Sequence, residues 1–266
     1  FKELTQRDDP PPAAWDWRTI SGKNWLTPVR NQKQCGSCWA FATVGAVEAC
    51  LKIGSGDSEW NPDLSEQMLV SCSGSGDCNG GYSDDVFIRD NGLPPESSFV
   101  YKAKNLLCSD RPADWTSEAL KVDGWVHLEY PTVEETKQAV MQGPVYTTFE
   151  VYSDFYAYGG GVYQHISGDL LGGHAVVIVG WDDALQAWIV KNSWGGWGES
   201  GFFRIAYDSK CEFGEEVHLP LYAGFYPRSV VVDTDDGGHS VTVQFNLPLD
   251  PATGADAANY AIDGVG

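Results

Sequence analysis

The hydrophobic positions in the first half of the chain predict helices. Residues Trp39–Ile53 are apolar or small at most positions, lack proline and are followed by a glycine, so a helix is expected to begin near Cys38. Leu64–Val70 predicts a second helix with Ser65 as its N-cap, and a third is expected over residues 83–91. The first half of the chain is therefore expected to be mostly helical.

The second half of the chain predicts one helix followed by strands. Thr132-Val-Glu-Glu135 is a capping box, and the helix that it opens is expected to end at Met141. Runs typical of strands then follow at Val145–Val151, Ala175–Trp181, Trp188–Asn192 and Phe202–Ala206. This order predicts an α+β fold, with a helical lobe followed by an antiparallel β lobe.

Composition and charge narrow the range of functions. The 266 residues are 42% hydrophobic and 13% aromatic, which is typical of a globular protein. The formal net charge of −20 argues against a nucleic acid partner, because phosphate would be repelled over most of the surface. Apolar runs are all shorter than the roughly 18–20 residues that a membrane span needs, so no membrane association is expected.

Candidate chemistry begins at Cys38. A thiol in the first turn of a helix faces free backbone N–H groups and the positive end of the helix dipole, and both stabilise the nucleophilic thiolate. His174 precedes an apolar run 136 residues after this cysteine, and Asn192 ends another run 154 residues after it. Cysteine peptidases of the papain and cathepsin type place His and Asn about 130–150 residues after the nucleophile.

These motifs together resemble the papain-like cysteine peptidase family. The resemblance covers about Ala14 to Leu221 and implies a two-lobed fold, with a β-barrel-like second lobe and the active-site cleft between the lobes. It rests on Asp16-Trp17-Arg18, Gln32, Cys35 to Phe41, Leu64 to Gln67, Cys78 to Gly81, His174 and Asn192 to Glu199, which occur in the family's order.

The resemblance implies a role for each catalytic residue. Cys38 would attack the peptide carbonyl as a thiolate, with His174 as the imidazolium that protonates the leaving amine. Asn192 would orient the imidazole, and Trp194 would shield the bond between them from water. The Gln32 side chain and the Cys38 backbone N–H would form the oxyanion hole.

The resemblance also implies residues that bind substrate. Gly80 and Gly81 would pair with the backbone of an extended peptide, and Tyr82 would form a wall of the second subsite. Gly173 is expected to leave that subsite open. Glu216 would lie at its floor and allow Arg as well as Leu-, Phe- or Val-like side chains, although a solvent-facing Glu216 is the alternative.

The seven cysteines suit an oxidising compartment, because six remain once the nucleophile is set aside. The resemblance implies the disulfides Cys35–Cys78 and Cys72–Cys108. The family's usual third bridge would join Cys211 to a cysteine shortly before the histidine, and residues 154–173 contain none. A Cys50–Cys211 bond and two free buried thiols both remain open. A secreted or extracellular protein is expected, with a periplasmic or lysosome-like compartment as alternatives.

The Cys35-Gly-Ser-Cys38 motif has competing interpretations as a redox or zinc site. The sequence offers no second C-x-x-C and no H-x₃₋₅-H, and no βαβ pattern surrounds the motif. Neither a metal nor a cofactor is therefore expected. The remaining histidines are interpreted as surface or packing residues, namely His127, His165, His218 and His239.

Two other functions compete with peptide hydrolysis. A binding module of the same fold would have lost one of the catalytic residues, whereas all are present here. A transferase would use the same acyl-enzyme with an amine in place of water. A monomeric endopeptidase is favoured, with protein or peptide substrates and its own propeptide as inhibitor, since no long insertion separates Cys78 from Cys108.

Three segments are expected along the chain. Residues 1–13 are interpreted as a propeptide remnant or flexible segment, and 14–223 as the peptidase domain, divided near residue 125 into helical and β lobes. Residues 224–266 are interpreted as a β-rich extension with a hairpin at Ser229–Val232 and Ser240–Phe245, turning at 235–238. This extension resembles the start of a bacterial extracellular immunoglobulin-like module.

Overall fold

A computed structural model describes residues 10–222, 227–233 and 240–245 of the chain. The helices are α1 (Cys38–Ser55), α2 (Glu66–Met68, continued by a π-helical turn at Leu69–Ser73), α3 (Asp85–Asp90), α4 (Val133–Gln142) and a short turn, α5 (Trp197–Ser200). The strands are β1 (Ala14–Asp16), β2 (Gly76–Asp77), β3 (Gly80–Gly81), β4 (Gly124–Glu129), β5 (Val145–Tyr152), β6 (Leu170–Asp182), β7 (Ala187–Lys191), β8 (Phe202–Ala206), β9 (Glu216–Leu221), β10 (Pro227–Asp233) and β11 (Ser240–Phe245).

Helix α1 is the central element of the fold. It begins at Cys38, as the sequence predicted, and its residues from Trp39 to Lys52 are buried. The helix ends at Gly56, which adopts the left-handed conformation with φ of 69°, rather than at Gly54. Gly54 has a different role, because a Cβ there would lie 2.4 Å from the Tyr222 ring. This burial fixes the position of the first turn and of the Cys38 thiol.

Local capping signals set the other helices. The Ser65 side chain accepts a hydrogen bond from the Met68 backbone N–H at 3.1 Å, as predicted for an N-cap. At α4 the Thr132 and Glu135 side chains form the expected capping box. Helix α3 starts after Asp84, whose carboxylate accepts from the Phe87 N–H at 2.9 Å. These caps satisfy N–H groups that have no partner within the helix.

Seven strands form an antiparallel sheet in the order β4-β9-β5-β6-β7-β8, with β1 added alongside β6. Its central strand β6 is buried from His174 to Trp181 and packs against α1. The antiparallel sheet was expected, but within the described residues it stays open and does not close into a barrel. The sequence analysis did not predict strands β4 and β9. Strand β9 contains Pro220, and a proline within a run of strand-forming residues argues against a strand because it has no backbone N–H to donate.

The disulfides Cys35–Cys78 and Cys72–Cys108 are formed as expected. Cys50 and Cys211 are free and buried, which settles the alternative that the sequence left open. The Cys50 thiol donates to the Pro220 carbonyl, whereas the Cys211 thiol donates to the Ser209 carbonyl. These two thiols therefore have separate partners, and no bond joins them.

The Asp154 carboxylate accepts several hydrogen bonds in the segment where the family's third disulfide would lie. Its carboxylate accepts from the Tyr163 hydroxyl at 2.7 Å and from the backbone N–H groups of Ile166 and Ser167 at 3.0 and 3.2 Å. His165 Nδ1 lies 3.2 Å from both oxygens. A partly exposed network of charge-assisted hydrogen bonds thus occupies the region next to the unpaired Cys211.

Strands β10 and β11 pair antiparallel, with Val230 opposite Val243. The predicted turn at 235–238, the segment 1–9 and the remainder of the proposed immunoglobulin-like extension lie outside the described residues. In the part of the chain that the structure describes, no helix is both long and apolar enough to cross a membrane.

Candidate active site

The nucleophile position lies where α1 meets the sheet. Cys38 is the first residue of the helix and its side chain is partly buried. Hydrogen bonding from the backbone of Ala175 and Trp39 reaches its thiol. Because Ala175 directly follows His174 on β6, this contact brings the predicted nucleophile and the predicted base together across the two lobes.

His174 and Asn192 are held on neighbouring strands. His174 lies in β6, while Asn192 follows β7 directly, and their side chains are 5% and 3% exposed. Asn192 Oδ1 accepts a hydrogen bond from His174 Nε2 at 2.8 Å. This bond leaves Nδ1 as the ring nitrogen that can exchange a proton with a thiol.

Trp194 covers the histidine ring. The two ring centroids are 4.7 Å apart and the planes are inclined by 33°. Trp194 also packs edge-to-face on Trp197 at 5.0 Å and stacks on Tyr156 at 5.5 Å. These contacts place the indole over the His174 ring, and the expected role of Trp194 in shielding the His174–Asn192 bond from water stays a prediction.

Gln32 is positioned by hydrogen bonds from both of its side-chain atoms. Its Nε2 donates to the Cys35 carbonyl at 3.0 Å, and its Oε1 accepts from the Ser193 hydroxyl at 2.6 Å. Its backbone N–H donates to the Ser193 carbonyl at 2.8 Å. The amide's second N–H remains available to a ligand, which suits an oxyanion donor.

Ser193 was missed by the sequence analysis. It follows Asn192 directly, so one short segment orients both the predicted base and the predicted oxyanion donor. A serine in a loop after a strand carries no signal of this role, because its partner is 161 residues away in the sequence.

Burial dominates the electrostatics of the site. Burial raises the pKa of the Cys38 thiol above its ordinary value, while backbone hydrogen bonds from Ala175 and Trp39 oppose the rise. Burial also lowers the pKa of His174 to about 4, against the favourable hydrogen bond with Asn192. The expected stabilisation of a thiolate by the helix terminus is therefore outweighed when Cys38 is considered alone.

Gly80 and Gly81 form a small hairpin with Gly76 and Asp77. A Cβ on Gly81 would lie 2.5 Å from the Trp39 ring and 2.7 Å from the Gly76 Cα. Gly80 faces open space and has φ of 133°. Internal packing thus requires glycine at position 81 in addition to any need for substrate to approach closely.

One acidic pocket contains two of the three remaining predicted subsite residues, and Tyr82 is not among the residues that line it. Gly173 and Glu216 both line it, so the structure brings these two predicted residues together. Tyr82, which was assigned to the subsite wall, is 78% exposed. Glu216 is exposed, and the same pocket includes Thr148, Phe149, Tyr130, Glu129, Glu150, Glu212 and Glu215.

On the opposite side of His174, an aromatic surface surrounds a second pocket. It is lined by Gln32, Lys33, Tyr156 and Trp194 together with His174. Tyr156 was not singled out from the sequence, because a tyrosine in a loop has no distinguishing pattern. The turn at Gly195 and Gly196 follows Trp194, and the Gly195 N–H donates to the Arg30 carbonyl at 3.0 Å.

Within the described residues, the other histidines contact partners other than the predicted catalytic residues. His165 stacks on Tyr152 with ring centroids 3.7 Å apart. His127 and His218 lie opposite each other on β4 and β9, with ring centroids 4.3 Å apart. His239 lies outside the described residues. The pairing of His127 with His218 was not anticipated from the sequence.

Comparison with known proteins gives a consistent result. Residues 11–221 match the family model described as papain family cysteine protease. Cathepsin S of Bos taurus is 36% identical over 223 residues, which is 78% of this chain and 65% of that protein. Pro-cathepsin H of Medicago truncatula is 38% identical over 209 residues, covering 73% of this chain and 57% of that protein.

Solved structures agree with the sequence comparison. The digestive procathepsin L2 proteinase from Tenebrio molitor larval midgut superposes with a TM-score of 0.69 at 34% identity, over 79% of this chain and 68% of that one. Bromelain protease from Ananas comosus in complex with the E64 inhibitor gives a TM-score of 0.66 at 31% identity, over 79% and 99%. The chain spans about half to two thirds of the length of the curated relatives that it matches. With its fold and sequence both matched over most of its length, the chain belongs to the papain family of cysteine proteases.

Proposed function

We propose that this protein is a cysteine endopeptidase that hydrolyses peptide bonds through a Cys38 thioester. The observation that carries the proposal is the orientation of His174 by Asn192, at 2.8 Å, on the strand whose backbone contacts the Cys38 thiol. A relative named cysteine endopeptidase RepA, from Oryza sativa subsp. japonica, is 37% identical over 234 residues.

The reaction follows from these positions. The Cys38 proton passes to His174 Nδ1, and the thiolate attacks the substrate carbonyl carbon. The Gln32 amide and the Cys38 backbone N–H donate to the oxyanion that forms. His174 then gives its proton to the departing amine, leaving a thioester. A water molecule, deprotonated by His174, cleaves the thioester and regenerates the thiol.

The acidic pocket supports a dual preference at the second subsite. Thr148, Phe149 and Gly173 provide an apolar and open wall, which accepts Leu-, Phe- or Val-like side chains. Glu216 adds a carboxylate that pairs with an Arg side chain of the substrate, two positions before the cleaved bond. Four further glutamates around the pocket strengthen the negative potential there.

The Glu216→Gln variant tests this preference. The ratio of kcat/KM for an Arg substrate to that for a Phe substrate is expected to fall about fivefold, as is typical of one exposed ion pair. Glu212→Gln removes the same charge from the same pocket and is the matched control. Equal changes in the two variants would assign the preference to the general field and not to Glu216.

Active-site titration tests the proposed function itself. An epoxysuccinyl inhibitor is expected to label one equivalent of Cys38, with proportional loss of fluorogenic dipeptide cleavage, and the Cys38→Ser variant should show neither. Stoichiometric labelling without peptide cleavage would contradict the peptidase proposal and favour a binding or transfer role. Addition of a free amine separates transfer from hydrolysis, since a transferase would yield an amide product.

The proposal also covers the compartment, the propeptide and the oligomeric state of the enzyme. The two disulfides support a secreted protein in an oxidising compartment. Structures titled procathepsin and bromelain precursor are among its neighbours, which supports inhibition by its own propeptide. The proposed enzyme acts as a monomer, with both lobes of its cleft supplied by one chain.

A further inference from the structure

A cluster of metal-binding side chains lies outside the peptidase site. Asp85, His127 and His218 each bring one candidate ligand atom to the cluster, and these atoms all lie within 4.8 Å of one another. His127 Nε2 already contacts the Asp85 carboxylate. The three residues come from α3, β4 and β9, so the cluster is assembled by the tertiary fold alone.

The register of the sheet places the two histidines together. Antiparallel pairing puts His127 directly opposite His218, and their ring centroids are 4.3 Å apart. His218 also stacks on Tyr146 at 5.1 Å, which restricts the rotation of its ring. A cross-strand histidine pair in this arrangement presents two imidazole ligands on one face of the sheet.

Ser83 is placed as an outer partner of His218. Its hydroxyl oxygen lies 2.6 Å from His218 Nδ1. A neutral imidazole that donates from Nδ1 to this oxygen keeps its lone pair on Nε2, which is then free to ligate a metal ion. Such hydrogen bonds fix the tautomer and orientation of histidine ligands in metal sites. The same hydroxyl lies 3.4 Å from Asp85 Oδ1, so it contacts both candidate ligands.

We propose that Asp85, His127 and His218 bind a Zn²⁺ ion. Two imidazoles and one carboxylate form a donor set that zinc accepts, with water in the fourth position. Because ligand bonds of about 2.0–2.2 Å leave room for the ion between its ligands, His127 Nε2 and the Asp85 oxygen that it contacts would move apart, while the more distant ligand atoms of the cluster would move inward. His127 and Asp85 are 45% and 21% exposed in their side chains, so the ion can enter from solvent.

A bound ion would connect two parts of the fold. Asp85 begins α3 in the helical lobe, whereas His127 and His218 belong to the sheet. An ion bound by all three residues would connect α3 to the sheet. Its ligand on α3, Asp85, lies two residues after Ser83 and three after Tyr82. Zinc is therefore expected to stabilise the fold and to restrain the segment next to the proposed second subsite.

Zinc binding is best measured in the Cys38→Ser variant, because a thiolate beside His174 would offer a competing site. Isothermal titration with Zn²⁺ is expected to show one equivalent bound, with a rise in Tm that grows with zinc concentration. Co²⁺ substituted at the same site should give the visible spectrum of a nitrogen- and oxygen-ligated ion without a thiolate charge-transfer band.

Variants on the exposed side of the cluster locate the site. In the Cys38→Ser background, His127→Gln and Asp85→Asn are each expected to weaken zinc binding by about 100-fold. Glu129→Gln, two residues further along the same strand, should bind zinc as the parent does. Unchanged affinity in both ligand variants, loss of binding in His174→Gln alone, or no zinc bound by the parent would overturn the proposal. Failure of peptidase activity would leave this measurement unaffected, since its readouts are binding and Tm.

Discussion

The hydrogen bond from Ser193 to Gln32 leads to a quantitative prediction about the oxyanion hole. The Ser193→Ala variant removes the donor to Gln32 Oε1, a bond of 2.6 Å between two side chains that are each 7% exposed. The Gln32 amide keeps its bond to the Cys35 carbonyl and its backbone bond to Ser193. The substitution is therefore expected to loosen the proposed oxyanion donor, Gln32, without removing it.

The magnitude follows from this geometry. One neutral intramolecular hydrogen bond contributes about 0.5–1.5 kcal/mol, which corresponds to a roughly 2- to 12-fold change in rate. Complete loss of an oxyanion donor in Gln32→Ala should reduce kcat by about 10²–10³. Ser193→Ala is therefore expected to lower kcat several-fold with little change in KM, because the oxyanion forms only in the transition state.

A double-mutant cycle supplies the decisive assay. Steady-state cleavage of a fluorogenic dipeptide would be measured for the wild type, Ser193→Ala, Gln32→Ala and the double variant, with thermal melts to confirm folding. If Ser193 acts through Gln32, its removal should have almost no further effect once Gln32 is gone. An equal loss of kcat in both backgrounds would refute the reasoning and assign Ser193 a separate role.

Three further predictions concern other parts of the molecule. Burial would raise the pKa of Asp154, but hydrogen bonds from the backbone of Ile166 and from the Tyr163 hydroxyl outweigh it and lower the pKa. The ionised carboxylate therefore contributes its full stabilisation above the unfolded-state pKa of about 3.9, and this stabilisation is lost as pH falls through the lower folded-state pKa. Asp154→Asn should thus lower the free energy of unfolding by about 1–3 kcal/mol at pH 7, and chemical denaturation at pH 7 and in strong acid would show whether the deficit disappears there. The pH profile of Cys38 alkylation should report a lower pKa in the wild type than in His174→Gln, where burial raises the pKa of the thiol without a counter-charge. Identical profiles would exclude the ion pair. Gly81→Ala should raise KM and lower Tm, because its Cβ would lie 2.5 Å from the Trp39 ring, and unchanged values for both would show that the hairpin moves freely.

Several features of the candidate site could be predicted because their signals are local. A helix start is encoded by neighbouring residues, so Cys38 could be placed at the first turn of α1 from the apolar stretch that follows it. The capping box at Thr132 is equally local. The motifs around Gln32, His174 and Asn192 are short segments whose order along the chain identifies the family. Their assigned roles remain predictions until activity is measured.

Other features depend on contacts between distant segments. The hydrogen bond between Gln32 and Ser193 joins residues 161 apart, and the disulfide that the family would place at Cys211 is absent from a region held by Asp154. Local sequence also left the burial of Cys38 and His174 undetermined, although burial sets the direction of both pKa shifts. Each of these depends on which elements pack together.

The amino-acid sequence by itself determined the family, the main helices, the strands β5 to β8, and the positions of the residues proposed as nucleophile and base. The sequence analysis interpreted His127 and His218 as surface or packing residues, because neither is accompanied by a catalytic or metal-binding motif along the chain. Only the register of β4 against β9 places these histidines opposite each other, beside Asp85 at the start of α3. Register is decided by which faces of the strands bury together across the sheet, and that choice is made by tertiary packing and not by the neighbours of either histidine.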